Sequence, residues 1–406
     1  MTLARSRSPS VQWEVGMTRF LAVTATVVFA AWAQTTFGEE IRGVTSNEIV
    51  FGMHTDLSGP AATYGVSSSN AVKMRFDEVN ASGGIHGRKI KLIVEDTQYQ
   101  VPRAVQAGTK LINRDRIFAM IAALGTPMNN ALFKEQFEAG VPNLFPLSAA
   151  RSMYLPFNRL KFVGAATYVD EVRAGINYFV AQKGKKAICA MYQDTDFGKE
   201  VLDGAQTQVD AMKLKLVETT THKPTDQDFT AQITKLKSAG CDLVVLGTIV
   251  RDSIVPYAAA RKMGWTDVDF LGSAAAYDLF VAAAQGGVTE GLYAMGLTDM
   301  PYRDALGPSA QSWFDHYKER FKAEPNIGAV YGYVAADVAV LGLDRAGPNL
   351  TVDSFMNGLE SIRNYHDIFN GPEVNYGPDK HQGANSSFLA VVKGGRWTRL
   401  TEPLSF

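Results

Sequence analysis

Apolar positions along the chain switch repeatedly between two periods. Ile49–His54 is a short strand-like run, and Gly65–Asn80 follows with Ala71, Val72, Met74, Phe76 and Val79 near one helical face. Lys89–Glu95 alternates as a strand, and Ala104–Asn113 returns to helical spacing. Phe118–Ala122, Met128–Glu138 and Pro142–Phe145 continue as strand, helix and strand. The same rhythm restarts with helices at Val169–Gln182, Phe197–Met212, Phe229–Ser238 and Asp252–Met263. Strands at Lys186–Tyr192, Lys215–Thr219, Asp242–Leu246, Asp269–Leu271 and Leu292–Ala294 interleave with them. A helix is predicted near Leu279–Gln285, and two long helices come late, at Ser309–Phe321 and Gly328–Leu343. A βαβα order of this kind predicts a parallel sheet covered by helices on both faces. Its restart predicts two similar α/β lobes. Ligands of such sheets collect beyond the carboxyl ends of the strands, so the cleft between lobes is the expected site.

The N-terminus follows a different pattern. Arg19 precedes an apolar run from Phe20 to Ala33, and small and polar residues follow to Glu40. This is the layout of a secretory signal peptide over residues 1–38, with Met17 the better start. The run is too short for a comfortable membrane span of about 20 residues. Cleavage after Ala33 and after Gly38 both stay open. No later segment is expected to hold the chain in a bilayer.

The chain has 406 residues, which suggests two domains. With 40 basic and 41 acidic side chains its net charge is -1, leaving no basic excess for nucleic acid. Dinucleotide, P-loop, zinc-protease and nucleophile-elbow motifs are all missing, and the six histidines lack metal-ligand spacing. We therefore expect no catalytic residues, no metal and no cofactor. Cys189 and Cys241 read as buried packing thiols; the alternative, a disulfide in an exported protein, needs Cα atoms within about 7 Å. Asp194 and Asp196 read as caps of the helix beginning near Phe197 rather than as paired catalytic carboxylates.

Three segments are more specific. Leu57-Ser58-Gly59-Pro60 leads through Tyr64-Gly65 into the first helix. Asn80-Ala81-Ser82-Gly83-Gly84-Ile85-His86-Gly87 ends that helix and turns the chain into a strand. Asp194-Thr195-Asp196-Phe197-Gly198 forms a third turn. From Ser46 onward the chain resembles the periplasmic branched-chain amino-acid-binding proteins, the type I solute-binding proteins of ABC importers. The resemblance implies two doubly wound parallel-sheet lobes joined by three hinge strands near Gly164, Thr298 and Ile368. The N-terminal lobe would comprise 46–164 plus 299–366, and the C-terminal lobe 165–298 plus 367–406. It also implies a monomer that traps a small carboxylate or amino-acid-like solute by hinge closure in the periplasm. The solute would pass to a membrane permease with its ATPase. A sensory module presenting the solute to a receptor is the alternative on the same fold.

The resemblance carries over to particular positions. Gly125 and Thr126, at the start of a helix, would offer N–H groups and a hydroxyl to a ligand carboxylate. The next contact loop holds Ser148 and Ala149, where relatives often carry Thr at the Ala149 position. Tyr64 and Phe197 match aromatics that cover the ligand. Ile249 falls where a second Tyr is common, and Ala274 where amino-acid binders carry an acid for the ammonium. The cysteines that bridge in well-known members match Gln98 and Gly125. These departures preserve the fold and transport role but not leucine specificity, and they point to a small carboxylate, aromatic acids among the candidates, rather than a free branched-chain amino acid as the ligand. Arg251 would add a second anionic contact, Tyr277 would help enclose a ring, and Asp252 or Asp278 would be the substitute for the missing acid.

Overall fold

A computed structural model describes residues 41–405, so the expected signal peptide lies outside the described residues. The first half builds β1 (Glu48–Thr55), α1 (Ala62–Ala81), β2 (Lys89–Asp96), α2 (Val101–Thr109), β3 (Ala119–Ile121), α3 (Thr126–Glu138), β4 (Asn143–Leu144) and β5 (Lys161–Phe162). These five strands form one all-parallel sheet in the order β2-β1-β3-β4-β5.

The chain then builds α4 (Tyr168–Lys183), β6 (Ile188–Gln193), α5 (Asp196–Ala211), β7 (Leu216–His222), α6 (Thr230–Ser238), β8 (Leu243–Gly247), α7 (Val250–Lys262) and β9 (Asp269–Gly272). A short α8 (Leu279–Ala282) and β10 (Tyr293–Gly296) follow. Next come α9 (Pro308–Phe321), α10 (Ile327–Ala346) and α11 (Val352–Glu360), and finally β11 (Ser386–Lys393), β12 (Arg396–Arg399) and β13 (Leu404–Ser405). The second sheet runs β7-β6-β8-β9-β10-β11-β12, with β13 on β11. β11 pairs antiparallel with β10 and β12. This antiparallel edge, and α11, are absent from the periodicity reading. β12 carries one buried residue, Trp397, among exposed ones, too few to register as a pattern.

The chain passes between the sheets three times: after β5, after β10, and between α11 and β11. The stretch from α9 to α11 returns to the first sheet. Tyr317 Oη on α9 donates to the Ser67 carbonyl on α1, and α10 packs along α1. α10 is long and apolar enough to cross a membrane, which the sequence reading did not foresee. Here it serves as a core helix, with Ala336, Ala339 and Leu343 fully buried. Its close approach to α1 depends on Gly332, where a Cβ would stand 2.4 Å from the Ser68 carbonyl oxygen. Phe51, Phe76, Phe118 and Phe355 form a ring cluster in the first lobe, with centroids 5.3–6.4 Å apart. Burying each such side chain contributes about 1.5–3 kcal/mol.

Two readings are corrected in the second lobe. Cys189 and Cys241 are not packing thiols: they form a disulfide, with Cα atoms 5.9 Å apart. Parallel pairing of β6 with β8 opposes Cys189 to Val244 and so brings Cys241, just before β8, within reach. The cap of α5 is Thr195 rather than either aspartate. Its hydroxyl accepts from the Gly198 N–H, and Asp196 occupies the first helical turn.

Candidate functional site

The strand orders dictate where a ligand can sit. In the first sheet the chain moves from β1 outward to β2 and then back across to β3, so the loops after β1 and β3 diverge. In the second sheet the same reversal separates the loops after β6 and β8. A crevice opens at each such switch point. The two crevices face each other and enclose one cavity of ≈190 Å³.

The loop after β3 carries the strongest anion-binding geometry. Gly125 has φ 98°, a left-handed conformation that glycine adopts readily, and this swings the chain into α3. No side chain caps α3; Pro127 has no N–H and the Gly125 N–H donates to the Leu147 carbonyl, contrary to the expectation for Gly125, so the N–H groups of Thr126 and Met128 and the positive dipole end are left for another acceptor. The Thr126 hydroxyl does not cap its own helix. It shares a 2.7 Å hydrogen bond with the Ser148 hydroxyl, and both side chains are buried in the cavity wall. The Ser148 oxygen also accepts from the Ala150 N–H. Gly125, Thr126, Ser148 and Ala149 thus lie together on one side.

The second lobe supplies the opposite wall. Phe197 follows β6, is 2% exposed, and packs edge-on against Tyr168 with centroids 5.0 Å apart. Ile249 follows β8, and Ala274 follows β9. Tyr64 reaches across from α1, and its hydroxyl lies 3.3 Å from the carbonyls of Ala275 and Tyr277. At the rim, Asn130 Nδ2 donates to Asp196 Oδ2 at 2.9 Å, and Arg151 pairs with Glu200 and Asp203. Each of these contacts joins the two lobes, so the cleft is closed.

Eight of the nine expected site residues line the cavity; Arg251 does not. Its guanidinium turns away and donates to the Pro224 carbonyl. Tyr277 does not line the cavity either: its ring packs against Phe388 and Trp397 in the second lobe. Asp252 is fully engaged, accepting from the Ile249 N–H and Gln193 Nε2, with His222 Nε2 2.7 Å from it. Asp278 caps α8 by accepting from the Phe280 N–H, and burial pushes its carboxyl up to about 7. Neither aspartate is on the cavity wall.

An acid does stand behind Ala274, but it comes from α4. Glu171 Oε1 accepts from the Ala274 N–H at 2.8 Å, while Oε2 has no partner among the described residues. Full burial pushes this carboxyl well above the usual carboxylate range, disfavouring its charged form. Sequence reading missed Glu171 because its backbone contact joins residues 103 apart. Tyr168 and Tyr331, also on the wall, were missed for a similar reason: helical periodicity does not say which turn faces a cleft. Among the lining residues there is no Lys, Arg or His, and the one acid is Asp367.

A family model described as periplasmic binding protein matches residues 48–396. The Leu/Ile/Val-binding protein homolog 7 of Brucella suis biovar 1 is 24% identical over 312 residues, covering 74% of this chain and 78% of that protein. A fatty acid ABC transporter substrate-binding protein from Thermomonospora curvata superposes with a TM-score of 0.81 at 24% identity, covering 91% of this chain and 95% of that one. A branched chain amino acid ABC transporter from Thermus thermophilus with bound valine gives a TM-score of 0.81 at 19% identity, covering 89% and 98%.

Proposed function

The chain belongs to the periplasmic binding protein family, and from that premise we propose that it captures an organic carboxylate in the interlobe cavity for an ABC permease and its ATPase. The solute-binding role of an ABC importer is what its relatives share; it is not an enzyme. The family works outside the cytoplasm, and the Cys189–Cys241 disulfide suits export through a cleaved signal peptide into an oxidising periplasm.

The observation that carries the ligand class is the uncapped N-terminus of α3 beside the Thr126–Ser148 hydroxyl pair, set in a cavity that no cationic side chain lines. Backbone N–H groups and hydroxyls can hold a carboxylate there by charge-assisted hydrogen bonds. At the position where the resemblance places an acid for the ammonium stands Ala274; Glu171 behind it already accepts from the Ala274 N–H, with burial disfavouring its charged form, and Asp367, the one acid among the lining residues, accepts from the Phe369 and Gly371 N–H groups. Burying an unpaired ammonium costs several kcal/mol. The neighbour named for fatty acids binds a carboxylate with no ammonium, whereas the valine-bound neighbour accommodates both groups.

Capture by closure makes a direct prediction. The contacts of Tyr64, Asn130 and Arg151 across the cleft require the lobes to be shut. Small-angle scattering should give a smaller radius of gyration with saturating carboxylate than without it. An unchanged radius with a carboxylate demonstrably bound would count against hinge closure.

A further inference from the structure

We infer, resting on the carboxylate reading above, that the ligand is a monocarboxylic acid with an extended aliphatic tail, and that the tail lies in a second arm of the cavity along α10. The cavity does not stop at the residues around the α3 N-terminus. It continues past Val330, Val334 and Val338, one stripe of α10 at i, i+4 and i+8. Eight residues of helix rise about 12 Å, so this wall is longer than a leucine side chain.

The facing wall is built from the two crossovers and the end of β4. Phe145, Val163, Val374 and Tyr376 line it. Tyr376 brings a hydroxyl, but that group donates to the Val163 carbonyl at 3.0 Å, so the ring alone is left for a ligand. Phe145 packs against the same ring, with centroids 6.1 Å apart. The arm therefore offers apolar surface on both sides and no spare donor from Tyr376. Asp367, the one acid among the lining residues, accepts from the Phe369 and Gly371 N–H groups, and along the rest of the arm a polar or charged tail would lose its hydration without compensation. An alkyl tail gains with every methylene that leaves water.

Calorimetry with a series of straight-chain acids, propionate, hexanoate, octanoate and decanoate, reads this directly. Each added methylene should tighten binding about fourfold while it still enters the arm. Val338→Phe, which narrows the arm, should weaken decanoate at least about tenfold and leave propionate unchanged. Its melting temperature is measured alongside; if it does not fold, the series on the unaltered protein decides alone. Acids that bind with affinity independent of chain length would overturn the tail inference and leave the carboxylate reading standing. No binding by any acid, with leucine bound, would overturn both.

Discussion

Removing the disulfide should destabilise the protein by about 4 kcal/mol, while leaving its affinity for ligand unchanged. Cys189 and Cys241 close a loop of sequence separation 52. Cross-linking removes the entropy of that loop from the unfolded chain, which the chain-entropy relation puts at about 4 kcal/mol. Both residues are buried, at 0% and 4% exposure, so serine would leave hydroxyls in the core; the double variant Cys189→Ala/Cys241→Ala is the cleaner probe. Urea denaturation should show the midpoint moving sharply to lower concentration with a steeper slope, because the unfolded chain without the crosslink exposes more surface. The bond ties β6 to the start of β8, and neither cysteine lines the cavity. Unchanged stability would mean that the crosslink does not constrain the unfolded chain.

The second large effect belongs to the anion anchor. Thr126→Val/Ser148→Ala should weaken carboxylate binding about a hundredfold, with the melting temperature of the ligand-free protein close to that of the parent. Hydrogen bonds to a charged group contribute about 1.5–3 kcal/mol each, and a hundredfold corresponds to about 2.7 kcal/mol. The fold should lose little, because the two hydroxyls bond each other and the one further contact removed is the long 3.3 Å bond from the Ala150 N–H to Ser148. Deleting both leaves no orphan in the pair, unlike deleting one. Undiminished affinity would place the carboxylate elsewhere.

These sites show what the sequence reveals and what it leaves hidden. The short apolar runs that mark β1, β6 and β8 locate their carboxyl ends, and the family resemblance placed Tyr64, Phe197 and Ile249 in the loops beyond them. Gly125 and Thr126 were legible through the family resemblance, and a helix start there gives that reading a physical reason. Contacts between distant segments were not. Glu171 meets Ala274 through tertiary packing, and Arg251 is drawn to the Pro224 carbonyl by a loop that no spacing rule describes. The cysteine pair was open for the same reason: its bond depends on which strands are neighbours in the sheet, and β6 lies beside β8 rather than only beside β7. α10 was recognisable as a helix, but its mean apolarity gave no sign that the Val330–Val338 stripe faces a cavity rather than a sheet.

The central claim is that the cavity selects a carboxylate without an ammonium. Calorimetry of octanoate, benzoate and leucine in one buffer tests it most directly. At least one of the two acids should bind about tenfold or more tightly than leucine. Submicromolar leucine binding with no response to either acid would contradict the account, and would turn the search for the ammonium's partner to Asp367 on the wall and to the unpartnered Oε2 of Glu171 behind it.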